Sequence, residues 1–432
     1  MTERSLAQWL QRLEAIHPRE VELGLDRVAT VAQALELMDL DIPVVTVAGT
    51  NGKGSTVAVI DALVGSAGRT AGTYTSPHLL RFNERIRIAG AEVADAEIIE
   101  AFAAIDAARG EVSLTYFEFA TLAALYLFRR HRPDVIVLEV GLGGRLDAVN
   151  IVDPTVCVIT GIALDHQDWL GNSRDQIALE KAGILRPGVP VVVADENPPP
   201  ALLRRIEKLG AAPAIMLGQE MTVEGDGDHW HMTVRDDAGR SRVLPPIPRG
   251  PLLPANVCAG IQACLLLGFE VDDSKLPGVL AGAAPAGRRQ RLRVNGLDCL
   301  LDVAHNPSAV EKLVEYLVAT SCNGETFAIF SAMADKDLQG MLEGAAGHMD
   351  RWFLADQPEN PRAAGAAAVA AILDGMGEGN WSVSADLPGA FAAARAAARA
   401  GDRLVVFGSF YTVAAILPLV ESGSSFEGVP PR

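Results

Sequence analysis

Val44-Val45-Thr46-Val47-Ala48-Gly49-Thr50-Asn51-Gly52-Lys53-Gly54-Ser55-Thr56 is the stretch whose reading decides the fold of this chain. Residues 44–48 are apolar or β-branched and read as a buried strand, the glycines that follow read as a turn, and residues 56–67 carry the pattern of a helix. A strand that runs through a glycine-rich turn into a helix points backbone N–H groups and the positive end of the helix toward a phosphate. Lys53 would bridge the outer phosphates. The spacing departs from the usual phosphate-loop pattern, because Gly54 separates Lys53 from Ser55, where a hydroxyl residue normally follows the lysine directly. The bland reading is an ordinary glycine-rich turn. Strand context, a lysine and adjacent hydroxyls favour a nucleotide cradle, and with it an ATP-dependent enzyme.

Working outward, residues 135–140, 156–160 and 189–194 are apolar runs bounded by turn residues, and residues 119–130 repeat like a helix. Strands too apolar for a one-sided sheet, separated by helices, imply a parallel sheet covered on both faces. Residues 221–244 change to polar alternation with Asp-Gly and Ala-Gly turns, which suits an antiparallel hairpin at the sheet edge. His229 and His231 lie there, and solvated imidazoles are favoured over metal ligands. A second set of strands, 297–303, 326–331 and 403–408, alternates with the Ala-rich helical stretches 363–373 and 390–398. The expected fold class is α/β: a P-loop-type parallel-sheet ATPase domain over residues 1–285 with a small antiparallel hairpin region, then a smaller Rossmann-like α/β C-terminal domain over 286–432. The tail SGSSFEGVPPR, residues 422–432, reads as unstructured.

Bulk properties agree. A chain of 432 residues exceeds what one core supports, so two domains are expected. The net charge of −17, with Lys and Arg scattered, argues against a nucleic-acid partner. Five cysteines without a Cys-x-x-Cys pair suggest reduced thiols and no structural zinc. The N-terminus lacks the apolar core of a signal peptide, and no apolar run is long enough for a membrane span, so a soluble cytoplasmic protein with no membrane partner is expected.

Several polar residues stand where parallel strands deliver side chains. Glu139 ends an apolar strand, as a magnesium ligand does, or else caps the loop that follows. Asp165 and His166 follow the neighbouring strand, and His166 reads equally as a ligand or as a structural histidine. Ser76 lies in a Ser-Pro turn that would ordinarily be only a turn. Lys181 ends a helix, where most lysines are solvated. In the second half, Arg288 stands at the domain boundary, Asp302 and His305 follow a strand in Asp302-Val303-Ala304-His305-Asn306-Pro307, and Gly408-Ser409-Phe410 follows the last strand; a nucleotide role and a turn-stabilising role remain open for these.

The ordered set GTNGKGST, TSPHLLRFNERIRI, EVGLGGRLDAVNIVD, LDHQDWLG, EKAGI and DVAHNP resembles the folylpolyglutamate synthase and dihydrofolate synthase family, related to the Mur peptide ligases, from about Trp9 to Val413. The resemblance implies that residues 1–285 are a Mur-ligase-like ATP-binding domain and that residues 286–432 are the ligase C-terminal domain. It implies ATP-phosphate contacts from Thr50, Asn51, Gly52, Lys53 and Gly54, one Mg2+ beside Ser55, and a second Mg2+ on Ser76, Glu139 and His166. Lys181 matches a lysine that is carbamylated. Asn256, Arg288, Asp302 and His305 match nucleotide-contacting positions, with Lys53, Lys181, Arg288 and His305 as the catalytic set.

Many relatives carry Gly-x-His-Gln before the residue matching Asn256, whereas this chain reads Gly250-Pro251-Leu252-Leu253-Pro254-Ala255-Asn256. That stretch resembles the bifunctional bacterial branch, in which a dihydropteroate pocket is formed by segments matching Glu22, Leu23, Gly24 and Leu25, then Thr115, Tyr116, Phe117 and Glu118, then Leu146, Asp147 and Ala148. Phe117 would stack on the pterin and Asp147 would accept its N–H groups. The implied reaction adds L-glutamate to dihydropteroate and to reduced folates through an acyl phosphate, in an expected monomer, with closure about the linker near Pro285 excluding water. A monofunctional folylpolyglutamate synthase, a Mur-type peptide ligase, a P-loop switch or transport ATPase, and a catalytically inactive binding protein are the competing readings.

Overall fold

The computed structural model describes residues 4–19, 21–294 and 296–423. Its chain divides into two compact units, Met1–Ala284 and Pro285–Arg432. Pro285 goes with the second unit, where its carbonyl accepts a hydrogen bond from Arg288 N. Of the tail that reads as unstructured, Ser422 and Gly423 instead complete the Phe410–Gly423 helix, and residues 424–432 lie outside the described residues.

The first unit is built on an eight-stranded sheet: β1 (Val44–Ala48), β2 (Ala71–Tyr74), β3 (Ile86–Ile88), β4 (Ala91–Glu92), β5 (Val135–Glu139), β6 (Val156–Ile159), β7 (Val191–Val193) and β8 (Ala214–Met216), in the order β4-β3-β2-β5-β1-β6-β7-β8. From β2 to β8 all pairings are parallel, while β3 and β4 add an antiparallel edge. Successive side chains on each strand go to opposite faces. Val44, Ile136, Leu138, Cys157 and Ile159 enter one core with the Tyr116–His131 helix. Val45, Val47, Val135, Val137, Val156 and Val158 enter another with the Lys53–Ser66 and Pro254–Leu266 helices. This two-sided burial is the reason the strands are apolar throughout. It also places β1 at the centre, between β5 and β6, so the ends of these three strands share one rim.

The polar region is not a decoration of the sheet edge. Strands β9 (Thr222–Gly225), β10 (His229–Arg235), β11 (Ser241–Val243) and β12 (Ile247–Pro248) form a separate four-stranded antiparallel sheet. Its alternate residues Met232, Val234, Leu244 and Ile247 join the core of the Pro254–Leu266 helix. Buried Gln262 of that helix accepts from Arg235 N (2.7 Å) and donates to Arg235 O (3.1 Å), satisfying backbone that the sheet leaves open. His231 pairs with Asp226 at 2.8 Å on the exposed face.

In the second unit β13 (Gln290–Val294), β14 (Leu297–Leu301), β15 (Thr326–Phe330), β16 (Arg351–Ala355), β17 (Trp381–Ser384) and β18 (Arg403–Phe407) take the order β13-β14-β18-β15-β16-β17, parallel except for the β13–β14 hairpin. The edge strands β13 and β17 are half-polar because much of each strand is only half-buried. The helix expected from residue 363 begins at Ala366, because Ala363 bridges Met333 and Asp356 accepts from Ala366 N.

Candidate functional site

The phosphate loop leaves β1 and is held against the loop that leaves β6. Thr50 N donates to Gly161 O (2.9 Å), the Thr50 hydroxyl lies 3.1 Å from both the N–H and the carbonyl of Ala163, and the Thr160 hydroxyl donates to Asn51 O (2.7 Å). Thr50 therefore uses its hydroxyl to clasp the two loops. Gly52 has φ +94°, and a Cβ there would lie 2.4 Å from Asn256 Oδ1, so a side chain would strain the loop backbone and displace the Asn256 amide in the first turn of the Pro254–Leu266 helix. Lys53 is already helical, three residues before the helix start expected from apolar periodicity. Gly52→Ala combines steric overlap with a left-handed backbone; an expected loss of about 1–3 kcal/mol in urea unfolding should accompany loss of ADP binding in titration calorimetry.

Two lysines meet at one carbonyl. Lys53 Nζ donates to Gly49 O (3.2 Å) and Thr50 O (3.1 Å), and Lys181 Nζ donates to Gly49 O (2.8 Å). Lys181 ends the Arg174–Lys181 helix, yet it is only 3% exposed rather than solvated. Burial, reinforced by the nearby positive charge of Lys53, brings its pKa down to about 7, against the opposing pull of Asp165 and Asp147.

Glu139, at the end of β5 and 4% exposed, accepts from Ser76 N (3.0 Å), so the Ser76 turn and the β5 carboxylate are brought together. A Cβ on Gly54 would stand 3.5 Å from Glu139 Oε2; the glycine between Lys53 and Ser55 keeps space open between the helix N-terminus and this carboxylate. Ser55 is buried one residue further on. His166 is held in the left-handed region (φ +50°), with Asp165 Oδ1 accepting from its N–H (2.8 Å), and its side chain is 40% exposed. Among the described residues no group of three His, Cys, Asp or Glu stands ready to hold a metal. A single carboxylate with hydroxyls, in a space that a Cβ would narrow, fits Mg2+, which keeps several waters and takes the rest of its shell from phosphates.

The segments expected to bind a pterin also come together. Arg27 donates to the Glu22 carboxylate, to Glu22 O (2.8 Å) and to Glu118 (3.1 Å). Glu118 accepts from Thr115 N (2.7 Å) while the Thr115 hydroxyl accepts from Glu118 N (3.2 Å), a capping box that starts the helix at Tyr116 rather than Phe119. Phe117 packs against Tyr74 at 5.8 Å, and Tyr116 lies under the Arg85 guanidinium at 5.4 Å. Leu23, Gly24, Leu25 and Leu146 are half-buried and Ala148 is buried. Asp147 accepts from Leu142 N (2.8 Å) and Val149 N (3.1 Å), which makes it the organiser of its own loop; burial nonetheless raises its pKa to about 6.

In the second unit, Asp302 accepts from Arg289 N (3.0 Å) and Ala304 N (2.7 Å), shaping the turn after β14. His305 Nδ1 lies 2.9 Å from Val303 O, which can only accept, so that nitrogen carries the hydrogen. Phe410 gathers two expected residues, with Arg288 over its ring at 5.1 Å and the His305 ring at 6.0 Å. Asn306 caps the Pro307–Ala319 helix.

Residues 47–225 match the Mur ligase middle domain, and residues 287–410 match the Mur ligase glutamate ligase domain. The chain is 38% identical over 426 residues to the dihydrofolate synthase/folylpolyglutamate synthase of Escherichia coli (strain K12), covering 97% of this chain and 96% of the relative. The chain belongs to the dihydrofolate synthase/folylpolyglutamate synthase family. Its structure is similar to that of E. coli FolC in complex with DHPP and ADP, with a TM-score of 0.91, 38% identity, and 97% and 98% of the two chains covered. It is similar also to a bifunctional folylpolyglutamate synthase/dihydrofolate synthase with Mn, AMPPNP and L-glutamate bound, with a TM-score of 0.87, 39% identity, and coverage of 97% and 98%.

The residue that sequence reasoning passed over is Arg27, while Phe410 was left open between two roles. Phe410 stood in a stretch already noted after the last strand. Arg27 had a weaker signal, being a lone arginine directly after the Glu22–Leu25 segment.

Proposed function

We propose that this chain is an ATP-dependent ligase that joins the amine of L-glutamate to the carboxylate of dihydropteroate, giving dihydrofolate, and adds further glutamates to reduced folates. The observation that carries this reading is the convergence of Lys53 and Lys181 on Gly49 O at the rim where β1 delivers the phosphate loop and β5 delivers Glu139. In the first step a substrate carboxylate oxygen bonds to the γ-phosphorus as the bond to the ADP oxygen breaks. In the second the glutamate amine attacks the acyl carbon, phosphate departs, and the amine loses a proton. No enzyme nucleophile is needed, so the residues act by position and charge.

Thr50, Asn51, Gly52 and Gly54 present the loop backbone, and Lys53 moves its ammonium from loop carbonyls to phosphate oxygens. Ser55 is proposed for one Mg2+ and Ser76, Glu139 and His166 for a second. When bound, the metal supplies charge neutralisation of the phosphates. Lys181, with a pKa near 7, holds a sizeable neutral fraction at physiological pH. Its neutral amine can add to CO2 with loss of a proton, and the resulting carbamate would replace a cation beside Lys53 by an anion able to support the metals. Asn256 is proposed at the nucleotide, with Arg288, Asp302 and His305 as nucleotide ligands of the second unit. The pterin is proposed to meet Leu23, Gly24, Leu25, Tyr116, Phe117, Leu146 and Ala148, with Glu22, Thr115, Glu118 and Asp147 shaping that pocket. A cytoplasmic monomer is the accompanying proposal, and no described helix is long and apolar enough to cross a membrane.

The test is ADP release by the purified chain with ATP, Mg2+ and glutamate, supplied with dihydropteroate or with tetrahydrofolate. Release with both substrates is expected. Release with tetrahydrofolate alone would reduce the activity to that of a folylpolyglutamate synthase, and glutamate-independent turnover would remove the ligase reading.

A further inference from the structure

We propose that Arg27 is a positioning residue for the dihydropteroate pocket, locking residues 22–25 to the N-terminus of the Tyr116–His131 helix so that the two segments keep one spacing. The inference rests on the pocket assignment above. Residues 22–25 belong to no strand or helix, so no backbone ladder sets their place. Side chains must do so. Arg27, second in the Asp26–Ala34 helix, turns its guanidinium back onto this segment and across to Glu118. One edge meets both the carboxylate and the backbone carbonyl of Glu22, and Nη2 and Nε reach the two Glu118 oxygens at 3.1 and 3.5 Å. A planar fork of donors suits such a bridge, and a lysine ammonium cannot span it.

Glu118 is the reason the bridge matters for ligand binding. Its carboxylate is almost wholly buried, and it already accepts from Thr115 N. With Arg27 on the same carboxylate, Glu118 organises the helix start. That start aims the preceding residue: Phe117 lies against Tyr74, and so close to the β5–Asp147 loop that a Cβ on Gly141 would stand 2.6 Å from Phe117 Cζ. A second tie supports the same joint. His17 lies 2.8 Å from the Ser113 hydroxyl through Nδ1 and 3.3 Å from the Glu22 carboxylate through Nε2. Glu22 is thus held from two sides, and its acidity rises through the His17 contact first and Arg27 and Arg19 after it. Glu22 and Glu118, two of the three carboxylates that the sequence places in the pocket, are engaged with Arg27, which moves them from ligand contact to wall construction.

The experiment is steady-state kinetics of the full chain with Arg27→Gln, Arg27→Lys and the double variant Arg27→Gln/Glu118→Gln, beside a melting curve for each. Arg27→Gln should raise KM for dihydropteroate by about tenfold or more while KM for ATP and kcat at saturation stay within about threefold, the signature of lost ground-state positioning. Arg27→Lys should fall between Arg27→Gln and the parent, since it keeps the charge without the fork. Gln at 118 still caps Thr115 N and leaves no uncompensated carboxylate, so the double variant should recover the melting temperature and keep the raised KM. The proposal is overturned if KM for dihydropteroate does not move, if it returns to the parent value along with the melting temperature, or if all KM values and kcat deteriorate together. A parent chain that releases no ADP with dihydropteroate would overturn the pocket assignment itself, which is a separate result.

Discussion

Replacing Lys53 by Ala should lower glutamate-dependent ADP release by about a thousandfold, roughly 4 kcal/mol of transition-state stabilisation. The expectation follows from where the side chain stands. Lys53 opens the helix after the loop, and its ammonium reaches the carbonyls of Gly49 and Thr50, inside the arc of the loop proposed to hold the ATP phosphates. Phosphoryl transfer moves charge among phosphate oxygens, and a fixed cation there acts on the transition state more than on bound ATP. The loss should therefore fall on kcat, with a smaller change in KM for ATP. A Lys53→Ala variant within about tenfold of the parent in kcat would remove the lysine from the reaction.

Lys181→Ala should cost at least about a hundredfold in kcat, with partial recovery on adding acetate or formate, because a small carboxylate can occupy the place of a carbamate. The parent enzyme should also lose activity as the pH falls through about 7, where the Lys181 amine becomes protonated and can no longer add CO2, and bicarbonate should raise activity on that limb. The unmodified amine makes an independent prediction for stability. Its folded pKa of about 7 lies below the ordinary value of 10.5, so between those values the unfolded chain binds a proton that the folded chain does not. Stability therefore rises with pH through that window and is flat in this contribution below about 7. Melting curves in CO2-free buffer, parent against Lys181→Met, measure it; identical pH slopes for the two would show that Lys181 is not the buried, weakly basic amine described.

Much of this site was legible from residue order, because parallel strands with two buried faces advertise themselves by unbroken apolar runs, and their ends place Glu139, Asp165 and the phosphate loop on one rim. Strand β1 matches its reading to the residue. What escaped is polar chemistry that carries no apolar periodicity, some of it between residues far apart in sequence. The helix at Tyr116 begins three residues early because Thr115 and Glu118 cap it, and polar caps do not enter an apolar periodicity. Strands β13 and β17 lie at sheet edges, where half-exposed positions tolerate polar residues and blur the alternation. The four-stranded antiparallel sheet was visible as a hairpin, but Gln262, which ties the Arg235 backbone to the Pro254–Leu266 helix, is a polar residue with no patterned signal. Lys181 shows the same point most sharply. A lysine at a helix end reads as solvated, and only the fold reveals that it is buried against Gly49.

The glycine that first looks misplaced takes its meaning from the structure. Gly54 lies opposite Glu139, where an added Cβ would come into contact with the carboxylate and fill the space beside it. Activation of a substrate acid by this loop and carboxylate, for attack by glutamate, is the step on which the proposed function stands. It is tested most directly with dihydropteroate labelled with oxygen-18 in both carboxylate oxygens, incubated with the enzyme, ATP, Mg2+ and unlabelled glutamate. Mass spectrometry should find about one oxygen-18 in each phosphate released and the other in the new amide of dihydrofolate, since the oxygen that bonded to phosphorus leaves with it. Phosphate free of the label, alongside ADP, would contradict activation of the carboxylate by phosphoryl transfer.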